Sequence, residues 1–96
     1  MNYLLGQNAN GISYVTRFGS LSARRPHHRP SVKAKEAMPG MLVGGPNTGL
    51  EDNIDAARLR KLPPARQYTD DWGAYALNEV TIYWNSPLVY LLAEFQ

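Results

Sequence analysis

The stretch from Tyr68 to Glu79 reads Tyr-Thr-Asp-Asp-Trp-Gly-Ala-Tyr-Ala-Leu-Asn-Glu. It sets three carboxylates, Asp70, Asp71 and Glu79, among three aromatic rings. Hydrolysis of a glycosidic bond needs those parts: a carboxyl that donates a proton, a second carboxylate opposite it, and flat apolar faces against sugar rings. Glu79 is the candidate donor. It follows Asn78, a residue type that caps helices, and precedes an apolar run, so the spacing predicts a helix with Asn78 as N-cap and Glu79 in the first turn. A helix N-terminus favours the ionised carboxylate, whereas a general acid needs its proton held. Burial among Tyr75, Tyr83 and Trp84 and repulsion from Asp70 are the forces that oppose the dipole. A plain helix-capping role for Glu79 is the competing reading.

A second cluster is Arg24-Arg25-Pro26-His27-His28-Arg29-Pro30. Basic loops bind phosphate, but no aromatic is interleaved here and no recognition helix follows, which argues against nucleic acid. Adjacent histidines do not readily face one metal, and no zinc spacing is present. His and Arg together suit sugar hydroxyls and neighbouring carboxylates; a solvated basic turn is the alternative. Gly44-Gly45-Pro46-Asn47-Thr48-Gly49 lacks the Gly-Lys-Ser/Thr ending of a phosphate loop and reads as a tight turn. Glu51, Asp52, Asn53 and Asp55 offer oxygen ligands for calcium, or else an exposed acidic helix start.

The 96 residues are 44% hydrophobic and 19% charged, contain no cysteine, and include no apolar run of membrane-spanning length. Disulfide scaffolds, thiol nucleophiles and cysteine-ligated metal sites are thereby excluded. The net charge of +2 conceals a split: six cations and no carboxylate up to residue 35, then four cations against eight carboxylates. Such a basic half suits an anionic partner or one part of a larger, balanced object. Met1-Asn2-Tyr3-Leu4-Leu5-Gly6 has no signal-peptide pattern.

The elements that must position these groups fall into three zones. Tyr3-Leu4-Leu5-Gly6 reads as a last helical turn closed by glycine, and Ile12–Thr16 as a short extended piece. Residues 19–67 hold no aromatic but six of the seven prolines and five of the eight glycines. Only Asp52–Leu62 there has helical rhythm, ended by Pro63-Pro64. From Val80 to Phe95 the chain is apolar nearly all round, which predicts a buried helix kinked at Pro87. Nothing in the chain is an adequate partner for that helix. The reading is therefore the tail of a larger domain whose long loops cover one face, with a small irregular α+β domain as the alternative.

Two spaced signatures resemble glycoside hydrolase family 9, the cellulase-type family. The first is Ser13-Tyr14-Val15-Thr16-Arg17-Phe18-Gly19 followed by Pro26-His27-His28-Arg29. The second is Tyr68-x-Asp70, Tyr75, Asn78-Glu79, Thr81 and Trp84-Asn85-Ser86. Pro39 to Asn47 is similar to a stretch common in that family. The resemblance covers nearly the whole chain. It implies an all-α fold, the C-terminal part of an (α/α)6 barrel with long irregular loops on the substrate face, and residues 1–96 as a non-autonomous segment of the catalytic domain. It implies inverting hydrolysis of β-1,4-glucans, endo-acting, or exo-acting on cello- or amino-sugar oligosaccharides; an inactive carbohydrate-binding fragment is the non-enzymatic alternative. It assigns Glu79 to the general acid, Asp70 to its support, and His27, Arg29, Tyr75 and Tyr68 to the sugar. No cofactor, nucleic acid or membrane is expected, the partners are a glucan and the remainder of the domain, and the setting is secreted. Arg17 stands where the family usually has glycine, and Leu21 where it has asparagine or a basic residue. The family's catalytic base, in an Asp-Ala-Gly-Asp-like motif, has no counterpart here.

Overall fold

The computed structural model describes residues 1–94; Phe95, counted in the apolar run, lies outside the described residues. Four helices punctuate an otherwise irregular chain: α1 (Arg29–Ala34), α2 (Ala56–Leu59), α3 (Tyr75–Asn78) and α4 (Ile82–Glu94), with a 3-10 turn at Pro64–Arg66. No helix among the described residues is long and apolar enough to cross a membrane.

The all-α expectation is corrected. Helix accounts for 32% of the structure and β-bridge residues for 10%. Between the helices, segments rich in proline, glycine and β-branched residues cannot sustain helical turns. They pair through single bridges instead: Leu5 with Ser13, Ser13 with Ser22, Val15 with Leu42, Val43 with Val80, and Glu79 with His27. Each bridge is one residue wide, and together they run as a ladder from the N-terminal turn to Glu79.

The helices start and stop for local reasons. Pro30 lies in the first turn of α1, where its missing N–H costs nothing. Lys35, at φ +56°, closes that helix, with Glu36 N–H returning to the Ser31 carbonyl at 3.1 Å. Asp52 reaches 24 positions along the chain to accept the Ala76 N–H at the start of α3. Thr81 caps α4, its hydroxyl accepting the Trp84 N–H at 3.2 Å. Asn85, one turn later, accepts the Leu42 N–H at 2.9 Å and donates to the Thr81 carbonyl at 2.8 Å. That clip fixes α4 to the irregular segment beneath it.

The core gathers Tyr14, Val43, Leu50, Leu59, Tyr68 and Leu77 between the bridge ladder and the short helices. Helix α4 was expected to be buried on most sides. Within this chain only Leu88 is buried, while Ile82 and Tyr83 are 85% and 86% exposed. Beyond Leu88, most of the apolar side chains of α4 are left uncovered by the described residues.

Candidate active site

Glu79 does not lie in a helix. Asn78 is the last residue of α3, and Glu79 follows it in extended backbone at φ −68° and ψ 148°. The helix dipole that the sequence set against its proton is therefore absent, since that field acts only within the first turn. The extended geometry frees its backbone for pairing. Glu79 O accepts the Gly44 N–H at 3.1 Å, Asn78 O accepts the His27 N–H at 2.9 Å, and Leu77 O accepts the Gly45 N–H at 2.7 Å. Glu79 thus stands between the His27 segment and the Gly44 segment, and the residue is exposed. The expected burial among Tyr75, Tyr83 and Trp84 does not occur within the chain, because all three rings are exposed.

His27 is paired with Glu79 across a parallel bridge although 52 positions separate them in sequence. Its Nδ1 lies 2.7 Å from the Trp72 carbonyl. A carbonyl only accepts, so Nδ1 carries the proton and Nε2 is the free edge of the ring. Tyr75, 40% exposed, tilts toward the imidazole with ring centres 6.1 Å apart. Arg29, at the start of α1, is exposed and shares a hollow of about 450 Å³ with His27, His28 and Trp72. His28 is engaged with Ser31, Nδ1 to Oγ at 2.8 Å.

Asp70 faces the loop rather than open solvent. Its two oxygens accept the Arg24 and Arg25 N–H groups, each at 2.8 Å, and Oδ1 also receives Asn78 Nδ2 at 3.1 Å. Tyr68 was expected to border the sugar. The structure corrects this: its ring is 7% exposed and packs edge-on against Tyr14, with centres 5.2 Å apart. Its hydroxyl finds an acceptor in Asn78 Oδ1, which makes burial tolerable for a phenol. Burial first, then the Asp70 charge and Tyr14, push the Tyr68 hydroxyl pKa well above its ordinary value, so it stays protonated.

The structure therefore brings Glu79, His27, Asp70 and Tyr75 to one region, leaves Arg29 at its edge, and moves Tyr68 behind it. Two residues not named as site residues from the sequence join them. Trp72 orients His27 through its carbonyl, a contact no side-chain pattern reveals. Asn78 is fully buried and touches the Arg25 carbonyl, Tyr68 and Asp70; its adjacency to Glu79 was the signal available, and it was read as a cap. A larger hollow of about 790 Å³, lined by Tyr3, Tyr83, Trp84 and Gly44 to Thr48, includes neither His27 nor Glu79.

The acidic segment considered for calcium is otherwise engaged. Asp52 accepts the Ile54 and Ala76 N–H groups, and Asp55 pairs with Arg58 at 2.6 Å. Among the described residues no group of three or more His, Asp or Glu converges as a metal site.

Comparison with known proteins shows the family. The sequence profile of glycosyl hydrolase family 9 matches residues 1–92. A cellodextrinase of Butyrivibrio fibrisolvens is 46% identical over 96 residues, covering 97% of this chain and 18% of that protein. A xyloglucan-specific endo-beta-1,4-glucanase of Bacteroides ovatus is 45% identical over 93 residues, covering 95% and 15%. The solved structure of a mutant thermostable endoglucanase from Alicyclobacillus acidocaldarius superposes with a TM-score of 0.91 at 49% identity, over 96% of this chain and 18% of that one. The chain thus spans less than a fifth of the length of these relatives. It belongs to glycosyl hydrolase family 9.

Proposed function

We infer that this chain forms part of the catalytic domain of a β-1,4-glucan hydrolase and supplies its general acid, Glu79. The proton on the Glu79 carboxyl passes to the departing glycosidic oxygen as the bond to the anomeric carbon breaks. Water adds to that carbon from the opposite face and gives its own proton to a base. That base belongs to the remainder of the domain, because the family's Asp-Ala-Gly-Asp-like base motif has no counterpart in this chain. In an inverting enzyme the two carboxyls stand roughly 6.5–9.5 Å apart, with the water between them. His27 Nε2 and the Arg29 guanidinium are the groups that bind sugar hydroxyls, and Tyr75 offers a ring edge beside them. Asp70 acts behind them by holding the loop.

The observation that supports this reading best is the pairing of Glu79 with His27 in a family 9 chain. It sets an exposed carboxyl beside an exposed imidazole whose free nitrogen is defined by Trp72. Relatives named cellodextrinase, xyloglucan-specific endoglucanase and cellulose 1,4-beta-cellobiosidase favour a cellulose-type β-glucan as substrate. Two of those names fit a second reading, exo action on cello-oligosaccharides. The product pattern separates the two: random shortening of the polymer marks endo action, release of a single small sugar marks exo action. A β-glucan substrate is consistent with a secreted enzyme.

The test is Glu79→Gln in the full-length protein. General acid catalysis contributes roughly a hundredfold or more, so turnover of an unactivated glucan is expected to fall by at least about that factor. Near-normal hydrolysis by the variant overturns the assignment.

A further inference from the structure

The side chain of Asn78 is completely buried, and its amide meets groups from two separate segments, at residue 25 and at residues 68–71. Oδ1 accepts the Tyr68 hydroxyl. Nδ2 donates to the Arg25 carbonyl, to Asp70 Oδ1 at 3.1 Å and toward the Asp71 carbonyl at 3.5 Å. The network dictates which end of the amide is which. Two carbonyls and a carboxylate can only accept, so they must meet the NH2; the phenol, held protonated, must meet the oxygen. A flipped amide would set oxygen against three acceptors. The backbone of the same residue is also tied on both sides. Its N–H reaches the Ala74 carbonyl at 2.8 Å, and its carbonyl takes the His27 N–H at 2.9 Å.

Asn78 therefore grips the loop that carries His27 twice, at Arg25 through its side chain and at His27 through its backbone. The next peptide carries Glu79. We propose that Asn78 is a positioning residue: its amide locks the Glu79 peptide and the Arg25–His27 loop in one register, so that the carboxyl meets the oxygen of a sugar held by the loop. It acts through its neighbours and touches no substrate. The inference rests on the reading of Glu79 as the acid and adds what holds that acid in place.

A displaced acid has a chemical signature that general loosening of the fold lacks. A sugar alkoxide must be protonated as it leaves, whereas a dinitrophenolate leaves without a proton. Loss of the Asn78 amide should therefore damage one reaction and spare the other.

The experiment compares Asn78→Ala, Asn78→Asp, Tyr68→Phe and Glu79→Gln in the full-length protein, on cellotetraose and on 2,4-dinitrophenyl β-cellobioside. For Asn78→Ala, kcat on cellotetraose is expected to fall roughly 10- to 100-fold, with less than about a threefold change in KM or in the dinitrophenyl reaction. Asn78→Asp keeps the size and one acceptor but turns an oxygen toward Arg25 and Asp70, so its split should be at least as large. Tyr68→Phe keeps the ring but leaves the amide oxygen without its donor, and should give the same split at smaller size. If Asn78→Ala does not fold, the other two variants carry the comparison. Equal losses on both substrates, or no loss on either, overturn the proposal. Glu79→Gln tells the two ideas apart. If it shows no split, the acid assignment itself fails; if it does and the Asn78 and Tyr68 variants do not, only the role of Asn78 fails.

Discussion

Asp70 receives the backbone N–H of Arg25 at 2.8 Å, and its other oxygen receives that of Arg24 at the same distance. One carboxylate thus spans two consecutive peptides, two residues ahead of His27. Its place in the site is mechanical: it shapes the loop from which the imidazole projects.

Asp70→Ala should leave both amides without an acceptor. Hydrogen bonds to a charged acceptor contribute roughly 1.5–3 kcal/mol, so the variant should lose about that much stability. Because His27 moves with the loop, kcat/KM on a glucan should also drop about tenfold or more. Asp70→Asn keeps one acceptor and should fall between. Thermal melts and steady-state kinetics check both parts, and wild-type kinetics in a destabilised Asp70→Ala would refute the link to His27.

Arg17 adopts φ +55° at a position where the family usually has glycine. A side chain in that region costs about 1–2 kcal/mol. The ion pair with Glu36 at 2.5 Å joins two exposed groups and returns only about 0–1 kcal/mol. Arg17→Gly is therefore expected to raise stability, by about 0.5 kcal/mol. An unfolding midpoint lower than wild type in urea would show that the ion pair outweighs the backbone strain.

Asn85 holds α4 down through Leu42 and Thr81. Asn85→Ala strands the half-buried Leu42 N–H and should cost about 1–3 kcal/mol. Asn85→Asp should not rescue it, because the second oxygen would face the Thr81 carbonyl. Urea unfolding midpoints of the two variants measure this; a neutral Asn85→Asp would contradict the stated donor direction.

Burial raises the Tyr68 hydroxyl pKa, and burial also raises that of Tyr14. Each raised group holds its proton in the folded state after the unfolded chain has lost it. The stability contributed is fully present below the unfolded value of about 10 and declines as pH climbs from there toward the folded value. The melting temperature should accordingly fall steeply above about pH 10. Tyr68→Phe should flatten that alkaline limb by about one proton while lowering stability at neutral pH. An unchanged alkaline slope in the variant would show that Tyr68 does not carry the effect.

The parts of this site legible in the sequence were chemical types and local order. Glu79 among aromatics was visible, as was the second signature's spacing. That Glu79 lies beside His27 was not, because bridges between residues 52 positions apart leave no periodic trace in either segment. The helix start was misplaced for a physical reason: Asn78 and Thr81 are both good caps, and tertiary partners claimed the Asn78 amide, leaving Thr81 to open α4. Tyr68 passed for a sugar platform because a ring beside carboxylates looks alike whether it faces solvent or the core. Helix α1 carries its sequence signal in Pro30, in its first turn, but the surrounding arginines and histidines suit a basic loop equally well.

The ladder of one-residue bridges sets an order of events during synthesis. Its last rung closes a long loop, and such contacts are made late because the closure entropy must be met first. A ribosome extending this chain can release the Pro26–Arg29 loop early, but that loop has nothing to register against until Asn78 and Glu79 emerge. The pairing of His27 with Glu79 thus waits until the distal segment arrives.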